Sequence, residues 1–384
     1  MEAMDSTENP ETPETPPSRR KLVVTLLAVV VAAGALVVAV QFAPSETKAA
    51  PPAPAAVVEP PPTEVPVVLQ DSVKVPEKPG QEFDAWASKT SQWLDIPLRA
   101  MQGYAKTTIE LGKEQPGCHL SWITLAAVGK TTTDHGRVGG DQLAESGVPV
   151  KPLGTIEVKD FYNRVVSTPH ASGPLQLTPS IWAQFQKSAS GQKPDPQNVD
   201  DAALTAGRAL CAGGRDLAKG DDWWAAVTAL QPAPLFLHRT LATANVYGTV
   251  GLNPDAPNPQ VLDAINFAIS KIGLPYVWGG NGTGGSDPGF DCSGLTTAAY
   301  ASAGITLKRT ADTQFHSVKA VPAGTEPALG DLIFYGDPKT KIHHVGLYIG
   351  NQQMIDAPNT GQAVQVHTYR KPNDDFAGAG RPTA

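Results

Sequence analysis

The sequence predicts a multidomain chain: an N-terminal transmembrane helix, a mostly α-helical middle domain and an α+β C-terminal domain. Three observations carry that division. A charge-free apolar run near the N-terminus leads into a stretch of clustered prolines; apolar residues then recur at helical spacing; past residue 257, helical patterns give way to short apolar runs at strand spacing. At 384 residues the chain exceeds one ordinary core. A net charge of −7 without a basic stripe argues against nucleic acid as a partner.

Residues 22–40 contain neither charge nor proline. At about 1.5 Å per residue they nearly span a hydrocarbon core of roughly 30 Å. Arg19, Arg20 and Lys21 directly precede them, which keeps a tail of residues 1–21 in the cytoplasm and exports everything beyond an anchor at 22–42. A cleaved signal peptide, with Thr47-Lys48-Ala49 at the cleavage site, is the competing reading and would release the chain. Residues 43–81 carry Pro51-Pro52, Pro60-Pro61-Pro62 and Pro66 and no periodicity, the composition of a stalk. Extended as polyproline it would reach on the order of 100 Å.

In the middle domain, residues 82–250, helical spacing marks 96–111, 121–128 and 202–217, with Asp200-Asp201 expected to cap the last of these. The three cysteines of the chain are Cys118, Cys211 and Cys292. An odd number outside the cytoplasm usually means one pair and one free thiol; Cys118 and Cys211 fall in one domain, so they are paired and Cys292 is left free. Were the chain cytosolic, all three would be reduced and buried.

Four strings in this domain, Pro116 to Trp122, Asp134-His135-Gly136-Arg137, Gly173 to Trp182 and Asp195 to Ala202, resemble the lytic murein transglycosylases with a lysozyme-like helical fold. Those enzymes carry a glutamic acid two residues before the Asp-His-Gly run. Here that slot is Thr132, a hydroxyl far too weak to protonate a glycosidic oxygen. Asp134, two residues on, is expected on the far side of the helix. The family's downstream Tyr-Asn pair is replaced by Leu230-Gln231, and Glu145 is the remaining acid nearby. The resemblance with these losses implies a domain that no longer cuts glycan but still binds it or acts as scaffold.

The C-terminal domain, residues 257–384, begins with Asn258-Pro259, an N-cap followed by proline in the first turn, and its helix runs to Gly273. Pro275-Tyr276-Val277-Trp278-Gly279-Gly280 leads into a glycine-rich loop. A helix follows, beginning at Cys292 and ending at Gly304, then a short one opened by Arg309-Thr310 and strands at 332–335, 344–349, 354–357 and 364–369. Cys292 stands where a loop turns into a helix, and His344 at the start of an apolar strand. A thiol attacks a carbonyl as thiolate, and a helix N-terminus with a neighbouring imidazole favours that form. Gly350-Asn351-Gln352 suits a hairpin turn, and a three-residue connection centred on residue 350 would place Asp356 directly across from His344 to orient the ring. Strand alternation puts His343 on the opposite face, with Val345 and Leu347. Backbone amides at Cys292, with the Tyr276 hydroxyl, are the candidate oxyanion donors; Tyr276 and Trp278 are equally readable as core aromatics. Asp291, Ser293 and Arg309 are candidates for holding substrate charges, although Asp291 also suits a helix cap. No histidine and carboxylate cluster has metal-ligand spacing, so neither metal nor cofactor is expected.

PYVWGG, FDCSGL, RT, GDLIFY and HVGLYIGNQQMIDAP, in that order, resemble the NlpC-type cell-wall peptidases, which have a reduced papain-like fold. The resemblance implies cleavage of peptidoglycan stem peptides, commonly after D-isoglutamate at a diamino acid such as meso-diaminopimelate. Asp356 departs from the His, Glu, Gln or Asn that the family more often carries there. The expected partners are stem peptides, glycan strands and the cytoplasmic membrane. A bifunctional transglycosylase and peptidase, or a wall-binding scaffold of a conjugation or secretion machine, are the competing readings.

Overall fold

Leu94 ends the first helix because Asp95 adopts left-handed backbone angles and Pro97 then blocks continuation, so the second begins afresh at Leu98. The structure, a computed structural model, describes residues 74–77, 80–157, 165, 170–285 and 287–383. The segments expected as cytoplasmic tail and anchor, and nearly all of the one expected as stalk, lie outside these. Among the described residues no helix is long and apolar enough to cross a membrane.

The middle domain is helical: α1 (Gln81–Leu94), α2 (Leu98–Glu114), α3 (Trp122–Thr133), α4 (Pro179–Phe185), α5 (Val199–Leu210), α6 (Gly220–Leu230) and α7 (Pro234–Leu252). Two details differ from the sequence expectation. The helix expected at 202–217 starts at Val199 and stops at Leu210. Its N-cap is Asn198, whose side chain accepts from the amides of Asp200 and Asp201. Asp200 and Asp201 sit in the first turn with other partners: Asp200 takes a bidentate ion pair from Arg99, and Asp201 accepts from the amides of Ala189 and Asp195. Cys118 and Cys211 form a disulfide across Cα atoms 5.5 Å apart. It ties the turn between α2 and α3 to the end of α5, next to the Leu217 amide that donates to the Cys118 carbonyl.

The C-terminal domain packs α8 (Pro259–Lys271), α9 (Cys292–Ser302) and α10 (Ala311–Phe315) with a six-stranded antiparallel sheet. Its strands are β1 (Lys319–Ala320), β2 (Leu332–Asp337), β3 (Lys341–Gly350), β4 (Gln353–Asp356), β5 (Gln365–Thr368) and β6 (Phe376–Arg381), in the order β1-β6-β2-β3-β4-β5. Asn258 caps α8 with Pro259 in its first turn, and Thr310 caps α10, both as expected. Alternation splits the sheet's side chains. Val345, Leu347, Ile355 and Val366 join the main core with the helices, while Ile333, Tyr335, Tyr348 and Met354 form a smaller cluster.

The main core runs without a break from the middle domain into the C-terminal one, and α7 is the reason. It packs on α3 on one side and on β3 and β5 on the other. The Asn245 amide donates to Gln353 Oε1 and accepts from Asn351 Nδ2 at 3.0 Å, so α7 grips both sides of the β3–β4 turn. Arg239 donates to the carbonyls of Ser270 and Ile272 at the end of α8, and the Val366 amide of β5 donates to His238 Nδ1 at 3.4 Å. Under α3, fully buried His135 lies between Tyr104 and Tyr247 hydroxyls at 3.3 and 3.1 Å, and burial holds its pKa down to about 3. A neutral ring thus links α2 and α7 at any physiological pH.

Closing a loop of 93 residues constrains the unfolded chain by roughly 4–5 kcal/mol on an entropic account. Replacing Cys118 and Cys211 together by Ser is expected to lower the unfolding free energy by about 2–5 kcal/mol, read from urea titrations against the oxidised chain.

Candidate active site

The Cys292 side chain owes its position to a helix start that is fastened three ways. Asp291 is the N-cap of α9, its Oδ1 accepting from the Gly294 amide at 2.6 Å. Arg309 clamps the same carboxylate with two nitrogens, at 2.9 and 2.8 Å, and donates further to Ser293 Oγ and the Gly280 carbonyl. Gly280 O comes so near the helix that a Cβ at 294 would lie 2.1 Å from it, which is why Cys292-Ser293 is followed by glycine. Cys292 is then the first helical residue, half-buried and free. Asp291, Ser293 and Arg309 were candidates for substrate charges; here Asp291 caps the helix and all three are bonded to one another. Ser293 is buried, and Arg309 keeps partial exposure at the cleft rim.

His344 and Asp356 meet differently from the expected register. Asn351 and Gln352 both have φ near +50°, a two-residue turn of the I′ kind closed by the Gly350–Gln353 pair, with Ile349 the extra residue of a bulge beside it. Pairing therefore runs Tyr348 to Met354 and Leu347 to Ile355, which sets Asp356 opposite Gly346 and His344 on the diagonal. Glycine at 346 leaves the crossing open: a Cβ there would sit 3.4 Å from Asp356 Cβ and 2.4 Å from Met354 Sδ. His344 Nε2 donates to Asp356 Oδ2 at 2.7 Å, and the ring also hydrogen-bonds Cys292, leaving Nδ1 for the sulfur.

His343 is corrected as well. Tyr335 pairs with His344 and Gly336 with Ile342, so His343 is the extra residue of a bulge. Ile342 takes the core position alongside Val345 and Leu347, while the His343 ring stands half-exposed, bonded to Asp375 at 2.6 Å.

These groups open into a cleft of about 1060 Å³. Tyr276 lines it; burial raises its pKa, and the Cys292 and Asp291 side chains nearby raise it further. Trp278 stands at the rim, 86% exposed, so it is not a core aromatic. Electrostatically the centre is an ion pair away from bulk water. Burial lowers the His344 pKa, but Asp356 and Cys292 outweigh it and lift it to about 10. Burial also pushes Asp356 up, yet the imidazoles of His367 and His344 hold it well below the usual carboxylate range. His367 went unremarked in the sequence. It lies within the strand read at 364–369, but only the register reveals that it reaches Asp356 Oδ1, at 2.6 Å. Among the described residues no metal-holding cluster of three or more such side chains occurs.

In the middle domain, Thr132 and Thr133 spend their hydroxyls on backbone. Thr132 donates to the carbonyls of Val128 and Pro174, at 2.8 and 3.1 Å, and Thr133 to Pro174 at 2.6 Å. Asp134 is not on the helix at all: it is the left-handed C-cap of α3, paired with Lys130 and Arg137. Gln231 caps α6, its side chain accepting from the Ala233 amide. Glu145 is an exposed loop residue whose carbonyl accepts from Arg99.

The NlpC/P60 family profile matches residues 273–375. Peptidoglycan endopeptidase RipB of Mycobacterium tuberculosis is 32% identical over 219 residues, 54% of this chain and 85% of that protein. The gamma-D-glutamyl-L-lysine dipeptidyl-peptidase of Bacillus cereus is 38% identical over 131 residues, 33% of this chain and 38% of its own length, so the chain spans little more than a third of that relative. A solved NlpC/P60 family protein from Bacillus cereus, 37% identical, covers 34% of this chain and 42% of its own, with a TM-score of 0.30.

The ion pair should register in stability. A depressed Asp356 contributes above its ordinary value near 3.8 and loses that contribution as pH falls; a raised His344 contributes fully below about 6.5 and loses it as pH rises through about 10. Asp356→Asn is therefore expected to cost most, roughly 2–4 kcal/mol, between about pH 4 and 6.5, and less on either side. Urea unfolding of both chains across pH checks this.

Proposed function

The chain belongs to the NlpC/P60 family, and on that premise we propose that it is a peptidoglycan endopeptidase working by a Cys292–His344–Asp356 mechanism. The observation that carries it is a free thiol at the first residue of a helix, in hydrogen-bond contact with an imidazole whose other nitrogen is held by a buried carboxylate. The Cys292 thiolate attacks the scissile carbonyl carbon, and the C–O electron pair shifts to oxygen. The backbone amide at the start of α9 and the Tyr276 hydroxyl donate to that oxyanion. Collapse breaks the C–N bond as His344 gives its proton to the leaving amine, leaving a thioester on Cys292. Water, deprotonated by His344, then hydrolyses the thioester and restores the thiolate and imidazolium. Asp356 holds the ring with Nδ1 towards sulfur and steadies its charge.

The bond we assign is the one between D-isoglutamate and meso-diaminopimelate in stem peptides. Residues 22–42 anchor the chain with its N-terminus in the cytoplasm, and residues 43–81 carry the head outward to the wall. The helical domain holds glycan without cutting it. At the acid's slot, Thr132 has its hydroxyl tethered to Pro174, and Asp134 is neutralised by Lys130 and Arg137, so no free carboxyl is offered there.

Digestion of purified sacculi by residues 82–384, followed by mass spectrometry, is expected to release dipeptide- or tripeptide-bearing products and no anhydro-muramyl ends. Cys292→Ala should abolish release, and Asp356→Asn should lower kcat roughly 10²- to 10⁴-fold. Undiminished release by Cys292→Ala sinks the assignment; anhydro ends would restore a working glycosidase.

A further inference from the structure

Asp356 is almost wholly buried, and each of its oxygens meets a different imidazole: Oδ2 meets His344 Nε2 at 2.7 Å and Oδ1 meets His367 Nδ1 at 2.6 Å. Register explains the symmetry. Asp356 lies across from Gly346 on β3 and from Gln365 on β5, so His344 and His367 are each two residues off, in opposite directions along the strands. Both rings reach the carboxylate on diagonals. His344 in addition bonds Cys292, which makes it the ring that works on the thiol.

We propose that His367 is a positioning residue: by donating Nδ1–H to Asp356 Oδ1, it turns the carboxylate so that the other oxygen faces His344, and it keeps Asp356 ionised. An ionised carboxylate accepts only, so both nitrogens facing it carry hydrogen. Without the second donor, one oxygen of a buried anion would lose its partner in a medium that stabilises charge poorly. Burial already pushes Asp356 towards the neutral acid. A protonated Asp356 would no longer stabilise the imidazolium, and the thiolate would lose its counter-ion. The titratable groups around the pair are His344 on β3, Tyr335 on β2, Tyr369 and the Arg370–Asp374 pair beyond β5, and Cys292 at the start of α9. Arg370 is engaged by Asp374, and Tyr335 and Tyr369 are neutral phenols with raised pKa values, so His367 is the group bonded to Oδ1.

The hydrolysis arm of the test rests on the peptidase reading, but the thiol arm does not. With Cys118 and Cys211 joined, Cys292 is the only free thiol, so iodoacetamide alkylation of the full-length chain reports its thiolate directly. His367→Ala is expected to move the acid limb of the alkylation–pH profile towards neutrality, as Asp356→Asn does. It should lower kcat about 10- to 100-fold with KM little changed, the range for a group that orients a working residue one contact removed. His367→Asn, whose amide can donate from nearly the Nδ1 position without a charge, should restore profile and kcat together, and it serves as the folding control. An unshifted alkylation profile in His367→Ala overturns the proposal. So does a loss of hydrolysis with normal alkylation, which would put His367 on the substrate, or failure of His367→Asn to rescue while its melting temperature matches the parent. If Cys292→Ala still hydrolyses wall, the peptidase reading fails and the alkylation profiles alone decide the role of His367.

Discussion

A carboxylate kept from water at Asp356 is the constraint around which the site is arranged. A buried anion is tolerated only when its oxygens are bonded and opposite charge lies near. Three strands deliver those partners. Histidines on β3 and β5 reach β4 on diagonals, and glycine at 346 keeps the crossing clear. The register that makes this possible depends on a two-residue turn with an adjacent bulge, and that turn is held by Asn245 of α7. A helix remote in sequence thus bears on the distance between two side chains in the cleft.

The sulfur is placed by a separate device, electrostatic as well as steric. Asp291 stands at the positive end of α9, which suits a cap but sets a negative charge one residue from a thiolate. Arg309 resolves the conflict by binding that carboxylate with both nitrogens. Residues that look like substrate contacts in the sequence prove to balance charge within the protein. The same economy is visible at the end of α3, where Lys130 and Arg137 both take Asp134.

Local signals in the sequence were faithful at two helix starts of the C-terminal domain, whereas at α5 the cap is Asn198 rather than Asp200-Asp201. Asn258-Pro259 and Thr310 start helices because a side-chain acceptor and a preset φ act within a few residues. Cys292 and His344 could be singled out, and the Cys118–Cys211 pair follows from their sharing one domain. What escaped is what turns on backbone sign and long-range register. The sequence does not announce left-handed angles at Asn351, Gln352 and Asp134, and each moved a neighbour. One bulge displaced His343, and the two-residue turn at 351–352 together with its bulge offset Asp356 by two positions. His367 was invisible for the same reason: a histidine in a strand means little until its partner strand is aligned.

The double duty of α7 makes the boundary between the two folded parts a matter of covalent sequence rather than of packing. Buried residues occur all round this helix, from Leu235 to Val250, because it has a protein interior on either side. Cutting the chain at residues 253–258 would strip the C-terminal sheet of its backing and leave polar atoms of Gln353 and the Val366 amide without their partners. The helical part thus supplies the wall against which the sheet of the following part packs. During synthesis α7 leaves the ribosome before the strands it supports, so chain order puts the backing of the sheet ahead of the sheet itself.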